Sequence, residues 1–435
     1  MNIEFYTITL WMAVILPLLL SMPSLHSRLP WPRHLAIIPA AGLTVIPVDV
    51  SLNIPWLLYG TGFAIDENVR WILGAVVVIW FAAATISSPS KEKVSSNYST
   101  TLYLLTLTGS LGVLLTTDLV GFFSFSTLMG YGFYGLLIQD GSKSLQRAGR
   151  VYLYILIVAD IALFEALLLV AFTTEHFQFE MARQTMSAIS SSPVYLYMVV
   201  IGFALKTATW PFYFWLTAAF NSGSRAIALL LIAGPITMSI LGLLRWLPMR
   251  DDIYILGIVM QLLGAAAILH STLKIFTLNV FKQSMNRFNP AWLIIFFTGL
   301  VSLALGTALQ NPALWQQYSY IVYPSISVFS LSLVLLILTT VKARNEPESV
   351  NNTPILIINI FHKLKKWLLT TQQLASDLKL RTLTLWDKSG SFAIKQYQHI
   401  SSVQKIKLFV ADWKINITLF LILGLVLTLL AILAI

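Results

Sequence analysis

Long apolar runs recur along most of the chain and limit the folds that it can adopt. Runs of about 20 residues are long enough to cross the ~30 Å hydrocarbon core of a bilayer. Helices that are apolar on every side cannot all be hidden inside a water-soluble domain. Only 11% of the 435 residues are charged, against about 25% in soluble domains. The sequence therefore predicts an all-α integral membrane protein.

The apolar runs predict about 12 transmembrane helices. Pro39 interrupts the short second run, and the weakly apolar stretch 54–64 is a candidate half-helix. We divide the chain into a transmembrane core (1–342), a basic segment (343–414) and a C-terminal anchoring helix (415–435). The predicted spans are 4–22, 34–50, 70–88, 100–117, 119–138, 151–172, 193–215, 224–247, 253–271, 290–309, 318–342 and 415–435.

Basic residues are concentrated in every second loop. The loops after odd-numbered spans carry Arg28, Arg33, Lys91, Lys93, Lys143, Arg147, Arg150, Lys274, Lys282 and Arg287. Because cytoplasmic loops carry the excess of lysine and arginine, we expect a multi-pass protein of the bacterial inner membrane with its N-terminus outside and residues 343–414 in the cytoplasm. The same rule explains the net charge of +10 without nucleic acid as a partner.

The basic segment 343–414 has apolar residues at helical spacing between Ile357 and Leu378. This pattern is typical of an amphipathic helix that lies on the membrane face. A helix over residues 355–410 would reach roughly 80 Å, so we expect neighbouring subunits alongside it. An ordinary cytoplasmic helical linker is the alternative interpretation.

The sequence shows no motif for a cofactor. The chain has no cysteine, which excludes disulfides and cysteine-ligated zinc or iron–sulfur centres. Its histidines are scattered, and no phosphate loop, haem motif or flavin motif is present. We therefore expect no cofactor and no enzyme that acts alone.

Lys206 lies well inside an apolar run. A charged side chain at that depth is costly unless it is paired or hydrated, and such residues mark ion pathways. Pro211 removes a backbone donor five residues later and predicts a helix break, a feature on which transporters build their sites. Pro235 predicts a second break. The alternative for Lys206 is a side chain that extends to the membrane interface.

Two acids in the sixth predicted span, Asp160 and Glu165, are candidate partners for Lys206. They are five residues apart and do not share a helix face well, and we favour Asp160. A hydrogen-bonded structural acid is the alternative for Asp160. Asp118, at the start of the fifth predicted span, is a further candidate partner, and an interfacial helix cap is the alternative for it. His270, at the end of the ninth span, is either a proton relay or a half-exposed interfacial residue.

The segment 206–216 resembles the seventh helix of the antiporter-like subunits of respiratory complex I and Mrp-type sodium/proton antiporters. Residues 122–129, 147–160 and 224–245 resemble the fifth, sixth and eighth helices of that family, and Leu273 and Lys274 resemble a loop after the ninth. The family pattern Lys-Ser/Thr-Ala-x-x-Pro-Phe-x-x-Trp-Leu is matched by Lys206, Thr207, Ala208, Pro211, Phe212, Trp215 and Leu216.

The resemblance implies a proton- or cation-translocating subunit of a larger membrane complex, with membrane and peripheral subunits as partners. Such a subunit couples ion flux to a partner's redox or uptake reaction. One branch of the family pairs with a soluble zinc protein for inorganic carbon uptake. The resemblance also implies proton-transfer roles for Lys206 and Asp160, and we add Glu165 and His270 as candidates.

The chain departs from the family at several charged positions. Thr127 stands where the family has a glutamate, Leu231 and Thr237 where it has a histidine and a lysine, and Thr272 where it has an aspartate. Losing these groups would interrupt a proton path. The alternative function is therefore a non-conducting scaffold that clamps neighbouring subunits with residues 343–414.

Overall fold

A computed structural model of the chain describes residues 3–45, 49–58, 60–86, 93–139, 143–174, 176–188, 192–222, 224–247, 254–281 and 290–345. The described part is predominantly helical, as the apolar runs predict. Its helices are α1 (Ile3–Leu20), α2 (Pro23–His26), α3 (Pro32–Leu35), α4 (Ile38–Val45), α5 (Glu67–Ile86), α6 (Lys93–Leu115), α7 (Leu119–Ile138), α8 (Lys143–Thr173), α9 (Phe179–Ala188), α10 (Ser192–Lys206), α11 (Phe214–Ser222), α12 (Arg225–Leu231), α13 (Thr237–Trp246), α14 (Tyr254–Phe281), α15 (Ala291–Gln310) and α16 (Pro312–Asn345).

Eight helices of the described part are long and apolar enough to cross a membrane. They are α5, α6, α7, α8, the continuous unit Arg225–Trp246, α14, α15 and α16. Two shorter apolar helices, Phe5–Leu20 and Val194–Lys206, accompany them. The chain is thus a multi-pass membrane protein. Residues 346–414 of the predicted basic segment and the predicted anchor 415–435 lie outside the described residues.

A short hairpin replaces the half-helix predicted at 54–64. Strands β1 (Val50–Asn53) and β2 (Gly62–Ile65) pair antiparallel, with Val50 opposite Ile65. Phe63 and Ile65 are buried, so the apolar residues alternate along a strand with period two. The predicted span 34–50 was also wrong, because α4 ends at Val45 and eight residues reach only about 12 Å.

Glycines allow α14 and α15 to approach each other at backbone distance. A Cβ built on Gly264 would lie 2.6 Å from the Gly299 carbonyl oxygen, and one on Gly306 would lie 2.6 Å from the Gly257 carbonyl oxygen. Membrane helices associate through such small residues because burial in lipid gives no hydrophobic driving force between them. The two pairs are separated by about two helical turns, and they hold the helices together along their length.

Asp118 is the N-cap of α7, as the alternative interpretation of the sequence predicts. Its carboxylate accepts hydrogen bonds from the Gly121 backbone N–H at 2.7 Å and the Gly62 backbone N–H at 3.2 Å. The hydroxyls of Thr116 and Thr61 also donate to it. Burial raises the pKa of the Asp118 carboxyl, and these hydrogen bonds oppose the rise. Asp118 therefore joins the β-hairpin to the start of α7, which is a structural role.

Arg245, on α13, satisfies the carbonyl end of the neighbouring α6. Its guanidinium donates to the carbonyl oxygens of Val113, Leu114 and Thr116 at 2.9–3.1 Å. The last carbonyls of a helix lack intrahelical partners and favour a nearby cation. Arg245 thereby fixes α13 against α6. The next helix, α7, carries Ser126, a hydrogen-bonding partner of Lys206.

Candidate functional site

The helix that carries Lys206 is interrupted directly after this residue. α10 ends at Lys206 and α11 begins at Phe214. Between them Ala208 adopts φ 54°, and the Trp210–Pro211 peptide bond is cis. The Thr209 backbone N–H donates to the Ala204 carbonyl at 3.1 Å, which satisfies one carbonyl of the open helix end. Lys206 therefore places its positive charge at the C-terminus of α10, where the helix dipole favours a cation.

Lys206 makes a buried ion pair with Asp160 of α8. The Lys206 Nζ lies 2.6 Å from the Asp160 Oδ1, and the two side chains are 5% and 10% exposed. The Lys206 ammonium also donates to the Ser126 Oγ of α7 at 2.8 Å. The structure thus shows the contact with Asp160 that the sequence predicts, and Lys206 does not extend to the surface.

Ser126 is a site residue that the sequence analysis missed. It is 3% exposed and neighbours Thr127, the position at which the resembling family has its glutamate. The Thr127 hydroxyl instead donates to the Phe123 carbonyl of its own helix at 2.9 Å. The signal in the sequence was the hydroxyl of Ser126, next to the position of the expected acid. A charged partner was expected for Lys206, so this hydroxyl was not a candidate.

Gly202 brings α10 close enough to α8 for the ion pair to form. It lies one helical turn before Lys206. A Cβ at this position would lie 2.6 Å from the Leu163 Cγ and 3.2 Å from the Ala159 carbonyl oxygen. Any larger residue would push apart the two helices that carry Lys206 and Asp160.

A small cavity of about 10 Å³ adjoins the Lys206 side chain. A cavity needs roughly 10–15 Å³ of this kind of space to hold one water molecule. Its polar side chains include Ser126, Tyr152 and Ser239, and Trp215 closes one side. The Trp215 indole N–H donates to the Leu205 carbonyl at 3.2 Å across the break. The site therefore combines a cation, an acid, hydroxyls and space of about one water molecule.

A second cavity, of about 20 Å³, adjoins the other side of the break. Thr207 and Thr209 of the break line it together with Thr298 and Ser302 of α15. The hydroxyl oxygens of Thr207 and Thr209 are 2.7 Å apart. Hydroxyl groups of the break and of α15 thus line this cavity.

Glu165 and His270 are not part of the Lys206–Asp160 ion pair. Glu165 is on the exposed side of α8, because five residues of helix turn it away from Asp160. His270 is half-buried on α14, with its ring centroid 5.1 Å from Tyr213 and 5.7 Å from Trp292. The proton-transfer roles expected for these two residues stay predictions.

Pro235 does not break its helix, in contrast to the expectation from the sequence. Residues Ile232–Ile236 form a single π-helical turn that joins α12 to α13. The wider turn accommodates the missing N–H and the ring of proline without ending the helix. The Thr237 hydroxyl donates to the Ile232 carbonyl at 2.7 Å, so this position is hydrogen-bonded within its own helix. Leu231 is buried and apolar.

Part of the chain matches a model of a known family. Residues 116–286 match a family model described as NADH:quinone oxidoreductase/Mrp antiporter, TM. No curated protein sequence matches the chain. The matched segment contains the break, the ion pair and Ser126.

Three solved structures have similar folds. A chain in the Mrp complex from Dietzia sp. DQ12-45-1b is 19% identical, with a TM-score of 0.58 over 77% of this chain. A chain of the membrane-bound sulfane sulfur reductase, an archaeal respiratory membrane complex, is 14% identical, with a TM-score of 0.61 over 75% of this chain and 69% of its own. A chain of respiratory complex I from Thermus thermophilus is 14% identical, with a TM-score of 0.54 over 76% of this chain and 70% of its own.

The chain spans 63% of the length of the Mrp chain, and at these identities the likenesses show a similar fold. The sequence match covers the segment in which Lys206 and Asp160 meet. Residues 116–286 are therefore similar to the antiporter-like membrane subunits of NADH:quinone oxidoreductase and Mrp complexes.

Proposed function

We propose that the protein is a proton- or cation-translocating subunit of a multisubunit complex in the bacterial inner membrane, with Lys206 as the exchanging group. The observation that carries this proposal is the buried pair of Lys206 and Asp160 at the interrupted end of α10. Buried ion pairs are weak sources of stability, and ionisable residues inside membrane spans are functional by default. A lysine is suited to this role because its charge state responds to its surroundings.

The proposed path uses hydroxyl groups where the family has charges. Ser126 and the cavity beside it would connect Lys206 to one side of the helix break. The cavity lined by Thr207, Thr209, Thr298 and Ser302 would connect it to the other side. His270 would serve the end of the path at α14. Hydroxyls and single water molecules can pass a proton along hydrogen bonds, because each is both a donor and an acceptor.

The coupled reaction is expected to reside in partner subunits. The solved neighbours belong to Mrp, sulfane sulfur reductase and complex I assemblies, which favours a larger complex around this chain. We propose either a redox reaction or an uptake reaction, inorganic carbon uptake with a soluble zinc protein included. Identification of the chains that co-purify with the protein in mild detergent distinguishes these possibilities.

A non-conducting scaffold is the second candidate. Thr127, Leu231 and Thr237 are uncharged where the resembling family carries ionisable groups, and Thr237 is hydrogen-bonded to its own helix. On this proposal the ion pair only joins α8 to α10. Residues 343–414, which lie outside the described residues apart from 343–345, would hold the neighbouring subunits.

Proton flux through the reconstituted complex tests the proposal. Proteoliposomes with a pH-sensitive dye inside receive a potassium-diffusion potential, and the rate of acidification is measured. Lys206→Arg keeps the charge and the pair with Asp160 but holds its proton permanently. We expect flux to fall roughly 100-fold, the usual scale of a positioned proton-transfer group.

The matched control is Lys143→Arg, at the exposed start of α8, which should leave the flux unchanged. Lys206→Met, which removes the charge and keeps the apolar bulk, should lower the flux as Lys206→Arg does. The scaffold proposal expects no change from either substitution at Lys206. Wild-type flux from folded, fully assembled Lys206→Arg complex would exclude Lys206 as the exchanging group.

A further inference from the structure

The outward side of α8 carries a charged residue within an apolar stripe. Exposed residues follow one another at helical spacing along this side: Tyr154, Ile157, Val158, Ile161, Phe164 and Phe172. Glu165 lies on the same side, four residues after Ile161, and is exposed. The opposite side of α8 carries Asp160 and packs against α10. The acid therefore faces away from the protein core.

Glu165 lies at a depth where lipid would surround it. It is eight residues, or about 12 Å, from the end of α8 at Thr173. The helix α8 is long and apolar enough to contain a membrane span, and the predicted span 151–172 includes Glu165. Carboxylates inside the hydrocarbon region are costly and, where they occur, face protein or a water-filled cavity. An exposed glutamate at this depth thus requires a polar neighbour that covers it.

The described part of the chain does not supply that neighbour. Among the described residues no hydrogen bond or ion pair joins Glu165 to another side chain. The predicted anchor 415–435 contains no charged residue. A second copy of this chain docked through the same face would bring two carboxylates together, which like-charge repulsion opposes.

We propose that this face of α8, defined by Ile161, Phe164 and Glu165, docks a transmembrane helix of a different subunit, which presents a lysine or arginine to Glu165. The apolar side chains pack against the partner helix. The ion pair selects the partner, because a helix without the cation would leave Glu165 buried and uncompensated. The surface is separate from the Lys206 site, so the inference stands whether or not the protein conducts protons.

A hydrophobic carbodiimide tests whether Glu165 is covered. Dicyclohexylcarbodiimide enters the bilayer and modifies carboxyl groups there, and mass spectrometry locates the modified residue. We compare native membranes that contain the assembled complex with membranes in which the full chain is expressed alone. The expected result is modification of Glu165 in the chain alone and its loss in the complex. Equal modification of Glu165 in both would show that lipid covers it and would overturn the proposal.

Substitution tests the charge of the partner. Glu165→Leu should leave the partner's cation stranded, so the complex should lose the neighbouring subunit on native gels. Glu165→Asp should retain that subunit. The matched control, Ile161→Leu, preserves volume on the same face and should also retain it. A complex that stays intact with Glu165→Leu would refute the ion pair.

A photo-crosslinker identifies the occupant. Phe164 is replaced by p-benzoylphenylalanine in the assembled complex, and the captured peptide is sequenced. We expect a peptide of another subunit from an apolar run that contains a lysine or arginine. Capture of lipid alone, of a second copy of this chain, or of residues 343–435 of the same chain would contradict the proposal.

Discussion

Gly202 of α10 lies so close to Ala159 of α8 that a Cβ on the glycine would be 3.2 Å from the alanine carbonyl oxygen. The contact is one helical turn from Lys206 and one residue from Asp160. It therefore sets the distance between the two charged side chains, which meet at 2.6 Å.

Enlarging Gly202 should separate these helices. Gly202→Leu would place a side chain where the Leu163 Cγ lies 2.6 Å from the new Cβ, and overpacking of this kind costs about 1–3 kcal/mol. We expect a lower thermal unfolding midpoint in detergent and a loss of flux. Gly74→Leu is the matched control, because a Cβ at Gly74 meets nothing within 4 Å. An equal effect at both positions would mean that close packing at Gly202 is not the cause.

Removing Asp160 alone should lower the free energy of unfolding much more than removing both Asp160 and Lys206. Asp160→Leu leaves Lys206 as an uncompensated buried cation, which costs about 3–5 kcal/mol of unfolding free energy. The double variant Asp160→Leu/Lys206→Met should recover most of that loss, since apolar replacements of buried pairs are often neutral. Denaturant unfolding of the variants in micelles measures the coupling. Additive losses would show that the two side chains do not stabilise each other.

Cysteine labelling should report the predicted orientation. The chain contains no cysteine, so single substitutions such as Ser90→Cys and Asn352→Cys give unambiguous sites. Both positions should react with a membrane-impermeant maleimide in inside-out vesicles and stay unmodified in intact spheroplasts. Labelling of Asn352→Cys from the outside would reverse the predicted side of the basic segment and change the number of spans before it.

Deletion of residues 355–435 should release partner subunits while residues 1–342 stay inserted in the membrane. Each transmembrane helix satisfies its own backbone hydrogen bonds, so the core does not need the deleted part in order to insert. Co-purification with a tagged chain measures the partners that remain, and protease protection measures insertion. Retention of every partner by the truncated protein would remove the evidence for a clamping role of the basic segment.

Local patterns in the sequence were sufficient for the membrane class and for the candidate lysine. Apolar runs longer than a bilayer is thick specify spans without any knowledge of packing. A charge inside such a run, followed five residues later by Pro211, indicates an interrupted functional helix from chemistry alone. These inferences concern single helices, so they do not depend on how the helices are arranged.

Other features depended on contacts between distant residues. Helical period alone predicts that Asp160 and Glu165 face different ways, but the packing of α10 against α8 decided that Asp160 faces inward. The approach of α7 to the same point decided that Ser126, 80 residues from Lys206 along the chain, accepts its hydrogen bond. Strand pairing placed 62–65 in a hairpin with 50–53, where the apolar content had made 54–64 a candidate half-helix. In each case the partner lies far away in sequence, so only the tertiary structure could select it.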